Sequence, residues 1–453
     1  MIRRCFTGLA ALVAIVAVSG PARAQSLEEA MIMAYTNNPT LLAARAELRS
    51  VDEQIAVALG GYRPTVSSSG DYGVERSETN LTPWETQTPS SLNINLNQPI
   101  YSGGGTDASV SQADNVIEAQ RANLIATEQQ VLLDTVTTYM AVVLSRRLLD
   151  LAINNEERLA RQLEATEDRF RVGEVTRTDV SQAKASYANA QASRVSAEGD
   201  LIRSRAQFEE VIGVPPTTLS APGPLIGLPD DMTVAAETAQ VENPTIQAAL
   251  ASEAAARDTI DVRFADLLPS IALQASYSQN YDPSINITRQ NVAQVIATLT
   301  IPLYQAGQAE SQVRSAKQTA AQRRIEVDEA RRAVQSNLVG AWQGLKTSEA
   351  QIVAFNEEVD ANQIALEGTQ READVGERTV LDVLDAEQAL FQSQINLAVA
   401  QRDTVVASYA LKSALGELTA QDLALPVTYY DVYLYYREAR ENWGFGGLFE
   451  GTE

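Results

Sequence analysis

Val172-Gly173-Glu174-Val175-Thr176-Arg177-Thr178-Asp179-Val180 returns later in the chain as Val375-Gly376-Glu377-Arg378-Thr379-Val380-Leu381-Asp382-Val383, an offset of 203 residues (375 − 172). The match extends outward in both directions. Each Asp is followed by an apolar-periodic segment that ends at a glycine, Gly213 and Gly416, and Pro99-Ile100-Tyr101 is echoed by Pro302-Leu303-Tyr304 at the same offset. Further back, Asn38-Pro39-Thr40 matches Asn243-Pro244-Thr245 at an offset of 205 (243 − 38), and Pro64 matches Pro269. The chain therefore reads as two tandem copies of one unit, residues 25–214 and 233–418. A Pro- and Gly-rich linker, 215–232, joins them, and an aromatic segment, 419–453, follows. The period is far longer than that of a solenoid repeat, so the duplication describes one pseudo-symmetric body.

Within each copy proline is confined to one region. None occurs between Pro99 and Pro215 or between Pro302 and Pro426, and both spans are rich in Ala, Gln, Glu, Arg and Leu, which favour helix. Val131, Leu132, Thr135, Val136, Tyr139, Val142 and Val143 recur at spacings of three and four, the mark of an amphipathic helix. The spacing predicts a helix over Gly105–Arg171 and a second over Gln308–Asp374, each about 100 Å long at ~1.5 Å per residue. Shorter helices, 27–59 with 178–212 and 235–267 with Val380–Leu415, are expected to stack end to end beside them. Such a length is too great for a compact globular domain and suits a structure that crosses a periplasm.

The residues ahead of each long helix behave differently. Leu92, Ile94 and Leu96 alternate with Asn93, Asn95 and Asn97, which gives a strand with one apolar and one amide face. Val295, Ala297, Leu299 and Ile301 form a less regular counterpart. Preceding strands are expected at 65–74 and 271–281, with polar loops at 75–90 and 282–291. Each copy thus supplies one hairpin of strands roughly ten residues long, the length that spans an outer membrane. Four strands cannot close a barrel, whereas three chains would give about 12, within the range of known barrels.

Composition narrows the function classes. Arg3 and Arg4, the apolar stretch 6–18 and Ala22-Arg23-Ala24 read as a cleavable secretory signal, residues 1–24. Its removal takes three arginines and no acid, so the net charge of -23 becomes -26 (-23 − 3), and the only cysteine, Cys5, leaves with it. Such an acidic chain makes a poor nucleic-acid binder. The absence of His removes the usual general base and the commonest metal ligand. With no Gly-x-Ser-x-Gly elbow and no metal-spaced ligand cluster, a secreted hydrolase has only the signal in its favour; neither an enzyme activity nor a cofactor is expected. After Gln25 no run of 18 apolar residues occurs, so a membrane crossing requires β-strands.

The two Val-Gly turns, each between a very long and a medium helix, together with Val380-Leu381-Asp382-Val383-Leu384-Asp385-Ala386, make the chain resemble the TolC family from Leu27 to Leu418. That resemblance implies an all-α long-helix barrel capped by a small transmembrane β-barrel and closed as a homotrimer. The implied function is an outer-membrane exit duct for efflux or type I protein secretion, with a long periplasmic portion. It implies that Val172, Gly173, Glu174, Thr176, Val375, Gly376, Glu377 and Thr379 form the periplasmic tip. A periplasmic adaptor (membrane fusion) protein and an inner-membrane pump of RND or ABC type would engage that tip. It further implies that Asp382 and Asp385 ring the closed aperture, and that Arg378 with Thr178 and Asp179 forms a latch. Ala373 departs from the pattern, since a tyrosine that joins the latch is expected there. A periplasmic coiled-coil adaptor or scaffold would also explain the long helices, but it needs no strands of membrane-spanning length. The C-terminal aromatics Tyr429, Tyr430, Tyr433, Tyr435, Tyr436, Trp443 and Phe445 fit either a collar packed on the helices or a free tail.

Overall fold

The computed structural model describes residues 25–79, 82–284 and 286–442. The expected signal peptide and the aromatics Trp443 and Phe445 lie outside the described residues. In chain order the elements are α1 (Leu27–Asn37), α2 (Pro39–Leu59), β1 (Thr65–Tyr72), β2 (Glu75–Thr79), β3 (Thr82–Gln87), β4 (Ser90–Ser102), α3 (Gly105–Arg171) and α4 (Arg177–Ile212). After the linker come α5 (Met232–Glu242), α6 (Pro244–Ala265), β5 (Ser270–Ser284), β6 (Ile287–Thr300), α7 (Gln308–Asp374), α8 (Val380–Leu415) and α9 (Leu434–Glu441).

The two long helices, α3 and α7, have 67 residues each and the boundaries that the pattern predicts. Both start after a left-handed glycine, Gly104 (φ 80°) and Gly307 (φ 78°). α3 packs along α4 and α6, α7 along α6 and α8, and α3 also against α8, so the two copies share one continuous helical layer. Among the described residues no helix is long and apolar enough to cross a membrane.

The expected helix 27–59 is broken at Asn38, as its counterpart is at Asn243. Pro39 has no N–H to give and belongs at the first position of a helix, so Asn38 turns extended (ψ 123°) and its Oδ1 accepts from the N–H of Thr40 at 2.9 Å. Its Nδ2 donates to the carbonyl of Val211 at 2.8 Å, one of the orphan acceptors at the end of α4. Asn243 repeats this arrangement with Thr245 (3.0 Å) and Ala414 (3.1 Å). The amide thus caps one helix and ties it to the end of another, so that α2 continues α4 and α6 continues α8. α1 lies apart from that stack. Its Leu27, Met31 and Tyr35 join Leu132, Tyr139 and Phe208 in the largest apolar core, midway along α3.

β1, β4, β5 and β6 form one antiparallel sheet in that order. Residues opposite each other on neighbouring strands share a face. Leu96 faces Val66 and Ala275, Ile94 faces Tyr277, and Ala275 faces Val295, which builds an apolar face. On the other face Asn93 lies between Ser69 and Ser278, Asn95 between Ser67 and Ser276, and Asn97 between Thr65 and Gln274. Ile296, opposite Gln274, and Val292, opposite Ser278, interrupt this polar face, and Asp71, opposite Ser91, adds a carboxylate to it. The outer strands β1 and β6 each have one hydrogen-bonded neighbour among the described residues.

The expected loop 75–90 carries a second hairpin, β2 and β3, while β5 and β6 run on through most of 282–291. Arg76 lies over the ring of Trp84 at 5.7 Å, a cross-strand contact that holds the hairpin.

Residues 427–442 pack on the helices. Arg45 lies between the rings of Tyr35 (4.4 Å) and Tyr430 (5.2 Å), and Arg121 between those of Tyr433 (4.2 Å) and Tyr436 (4.8 Å). Tyr435 and Tyr436 donate to Glu53 and Asp114, both at 2.7 Å. The carbonyl of Asn442 accepts from Arg63 at 2.9 Å, two residues before β1 begins.

Candidate functional site

The far ends of α3 and α7 carry the repeated motif, and the two turns are built alike. Gly173 and Gly376 both have φ of 86°, a conformation that costs an L side chain ~1–2 kcal/mol. Each follows a helix whose last carbonyls are recovered by the turn. Glu174 N–H donates to Arg169 O and Glu377 N–H to Glu372 O, both at 2.9 Å, the pattern that ends a helix through a left-handed residue. Val172 and Val375, the residues before the glycines, are exposed at 72% and 74%. Two apolar side chains thus project at the tips, flanked by the exposed Glu174 and Glu377.

The return helices start with identical capping boxes. Asp179 Oδ2 accepts from Thr176 N and Thr176 Oγ1, both at 2.7 Å, while Asp179 N–H donates back to Thr176 Oγ1 at 3.3 Å. In the second copy Asp382 Oδ2 accepts from Thr379 N at 2.9 Å and Thr379 Oγ1 at 2.8 Å, and Asp382 N–H donates to Thr379 Oγ1 at 3.2 Å. The hydrogen bonds from Thr379 hold the Asp382 carboxyl below its ordinary range, with a smaller contribution from nearby Arg378. Asp385, one turn on, is exposed. The two proposed aperture acids are therefore not equivalent: one carboxylate is committed to a helix start and the other faces outward.

The latch residues also fall differently from expectation. Within the chain Arg378 Nε donates to Glu372 Oε2 at 2.9 Å, across its own turn, and not to Thr178 or Asp179. The reason is proximity, since Glu372 lies on the preceding turn of α7 while the carboxylate of Asp179 is taken up by Thr176. Thr178 is exposed. The two hairpins are joined by the ion pair from Arg169 Nη2 to Asp374 Oδ1 at 2.8 Å and by an apolar cluster of Leu159, Ala183 and Ala190 with Val380 and Leu384. Ala373 packs beside Leu366, Val383 and Leu390 in an apolar cluster.

Two residues beyond Asp385, Glu387 is buried on α8, and its Oε2 has no hydrogen-bond partner among the described residues. Burial pushes its carboxyl up, against the pull of Arg158 and Arg161 on α3. The sequence held a signal for it. Position 387 continues the apolar stripe Val380, Val383, Leu384 towards Leu390 and Phe391, so an acid there must be buried.

Two stretches of the chain, residues 32–214 and 235–417, match the family model described as outer membrane efflux protein. They are themselves 203 residues apart (235 − 32), the offset of the internal repeat. The chain is 35% identical over 423 residues to outer membrane efflux protein BepC of Brucella suis biovar 1 (strain 1330), covering 93% of this chain and 92% of that protein. It is 27% identical over 411 residues to outer membrane protein TolC of Vibrio cholerae serotype O1, covering 88% of this chain and 92% of that protein. Its fold is similar to that of the Campylobacter jejuni CmeC outer membrane channel, with a TM-score of 0.80 at 15% identity over 92% of this chain and 89% of that chain. Matched in both of its copies by one family model and along nearly its whole length by a close relative, the chain belongs to the outer membrane efflux protein family, a family of transport proteins.

Proposed function

We propose that three copies of the chain assemble into an exit duct of the outer membrane, opened at its tip by a periplasmic adaptor and an inner-membrane pump. The observation that carries this reading is the sheet. One face is mainly apolar and the other mainly amides and hydroxyls, and the outer edges of β1 and β6 have no partner among the described residues of the single chain. Open edges cannot sit in hydrocarbon, where an unmet backbone group costs several kcal/mol. Joining β6 of one copy to β1 of the next removes them. Three copies give 12 strands (3 × 4), an even number within the barrel range. The apolar face then meets lipid and the amide face lines water.

The helices α3 and α7 carry the duct about 100 Å into the periplasm. At their ends the exposed Val172 and Val375, between Glu174 and Glu377, offer an apolar point with a polar rim to the adaptor, as interface cores usually are. The carboxylates of Asp382 and Asp385 from three copies ring the aperture, and Arg378 and Arg169 hold the hairpins that bear them. Small molecules and secreted proteins are both compatible with this geometry, since the inner-membrane pump selects the cargo. Mass measurement of the detergent-extracted protein tests the reading. A trimer that resists dissociation is expected, and a stable monomer with full strand content, or a protein soluble in the periplasm, would overturn it.

A further inference from the structure

Between the linker and the helices lies a cavity of about 490 Å³ that the tip and the sheet do not use. Its floor is apolar: Met140, Val143 and Leu144 of α3 and Val405 of α8, with Pro222 and Pro224 of the linker as the roof. The roof is pinned on both sides. The hydroxyl of Tyr139, a fully buried residue, lies 2.6 Å from the carbonyl of Ser220, and Leu225 N–H donates to the buried Ser408 Oγ at 3.0 Å. A roof with proline between two such anchors keeps its shape, so the cavity is preformed.

Its charge is the opposite of the chain's. In a protein with 58 acidic and 35 basic residues, this cavity is lined by two guanidiniums, Arg147 and Arg402, and by no carboxylate. Arg402 Nε lies 3.0 Å from the carboxylate of Asp403, which is not part of the lining, while Arg147 is exposed and forms no ion pair among the described residues. A cavity of ~300–1,000 Å³ with apolar walls and a few convergent polar groups is the usual form of a small-molecule site. We infer that this cavity binds an amphipathic organic anion of drug size, its flat apolar body between α3, α8 and the proline roof and its carboxylate or sulfonate on Arg147 and Arg402. Planar guanidiniums suit such oxyanions because they offer paired donors. The inference rests on one chain's own residues.

The test is calorimetric titration of the full chain in a non-ionic detergent with naphthalene-2-sulfonate, against 2-naphthylmethanol as its neutral counterpart. One sulfonate per chain is expected, with the neutral compound at least about tenfold weaker. The combined change Arg147→Gln and Arg402→Gln should weaken sulfonate binding by a similar factor, and Val143→Trp, which fills the floor, should abolish it. Equal binding of the two compounds, sulfonate binding unchanged in the arginine variant, or no binding at millimolar concentration would each overturn the assignment. Should Val143→Trp not fold, the arginine variant and the neutral compound decide alone.

Discussion

Arg169, at the end of one long helix, reaches Asp374, at the end of the other, and the 2.8 Å contact between Nη2 and Oδ1 ties the two tip hairpins together. Both side chains are partly in water, Arg169 at 35% and Asp374 at 70% exposure, so the pair adds little to stability, ~0.2–1 kcal/mol. Its effect is on geometry, because it holds the outermost ends of hairpins that Leu159, Ala183, Val380 and Leu384 join further in.

Arg169→Gln and Asp374→Asn should each leave assembly and melting temperature nearly unchanged and raise single-channel conductance a few-fold, about equally and without adding in the double variant. The exchanged pair, Arg169→Asp with Asp374→Arg, should return conductance towards its original value. Unaltered conductance in both single variants would show that the hairpins are held by other contacts.

The unequal states of Asp382 and Asp385 predict unequal phenotypes. Asp385→Asn should weaken block by multivalent cations from the periplasmic side, since hard cations seek free carboxylate oxygens. Asp382→Ala removes the oxygen that accepts from the Thr379 N–H and hydroxyl, so it should loosen the start of α8 and affect proteolysis at the tip more than cation block. Bilayer recordings with a trivalent cation, together with limited proteolysis of both variants, separate the two. Equal loss of block in both would place the two carboxylates in one role.

Much of this fold was legible in the sequence. The ends of α3 and α7 followed from two proline-free spans closed by Val-Gly, and the two faces of β4 from Leu-Asn alternation. The break at Asn38 was missed because apolar periodicity runs straight through it, although Asn-Pro-Thr carried the cap and the proline that enforce it. Thr-x-x-Asp at 176–179 and 379–382 likewise spells a capping box. The Arg169 to Asp374 contact was not legible. Its partners are 205 residues apart (374 − 169) and meet only when two hairpins lie side by side, a relation that no local pattern encodes. The hairpin β2 and β3 was read as a loop because Pro83 and a polar composition outweighed its Thr-rich alternation.

Asp52 is buried on α2 at 1% exposure, and neither carboxylate oxygen has a hydrogen-bond partner among the described residues. Burial raises its carboxyl from 3.8 to about 6, opposed by Arg121 and helped by Glu53. The folded state therefore binds the proton more tightly than the unfolded chain does. The resulting loss of stability sets in as pH rises above 3.8 and is complete above about 6. Asp52→Asn should stabilise the protein at pH 7.5 by on the order of 3 kcal/mol, with the gain shrinking to nothing near pH 4. Chemical denaturation across that range is the check, and a gain independent of pH would assign the effect to packing.

Arg121, beside it, stacks on Tyr433 and Tyr436, and a desolvated contact of this kind is worth about 2 kcal/mol. Arg121→Met should release residues 427–442 to protease while the rest of the chain stays resistant. Unchanged cleavage would mean that Tyr435 on Glu53 and Tyr436 on Asp114 suffice.

Gly213 and Gly416 close equivalent helices with φ of 87° and 95°, but their surroundings differ. A Cβ on Gly213 meets open space, whereas one on Gly416 would lie 2.5 Å from the carbonyl oxygen of Glu242. Gly213→Ala should cost about 1 kcal/mol, from the backbone alone, and Gly416→Ala several times more, because α8 could no longer close on the junction of α5 and α6. Comparable melting temperatures for the two variants would contradict this.

The amide and hydroxyl face of the sheet has a kinetic meaning for whatever leaves through the proposed duct. Asn93, Asn95 and Asn97, with serines beside them, offer single neutral hydrogen bonds that water replaces without net loss. The charged group on this face among the described residues is Asp71, opposite Ser91, so an anion finds no cation there to detain it and its release becomes a matter of diffusion down a wetted sleeve. Selection and commitment belong to the far end, and an anionic cargo that has passed the tip has no chemical reason to linger or return.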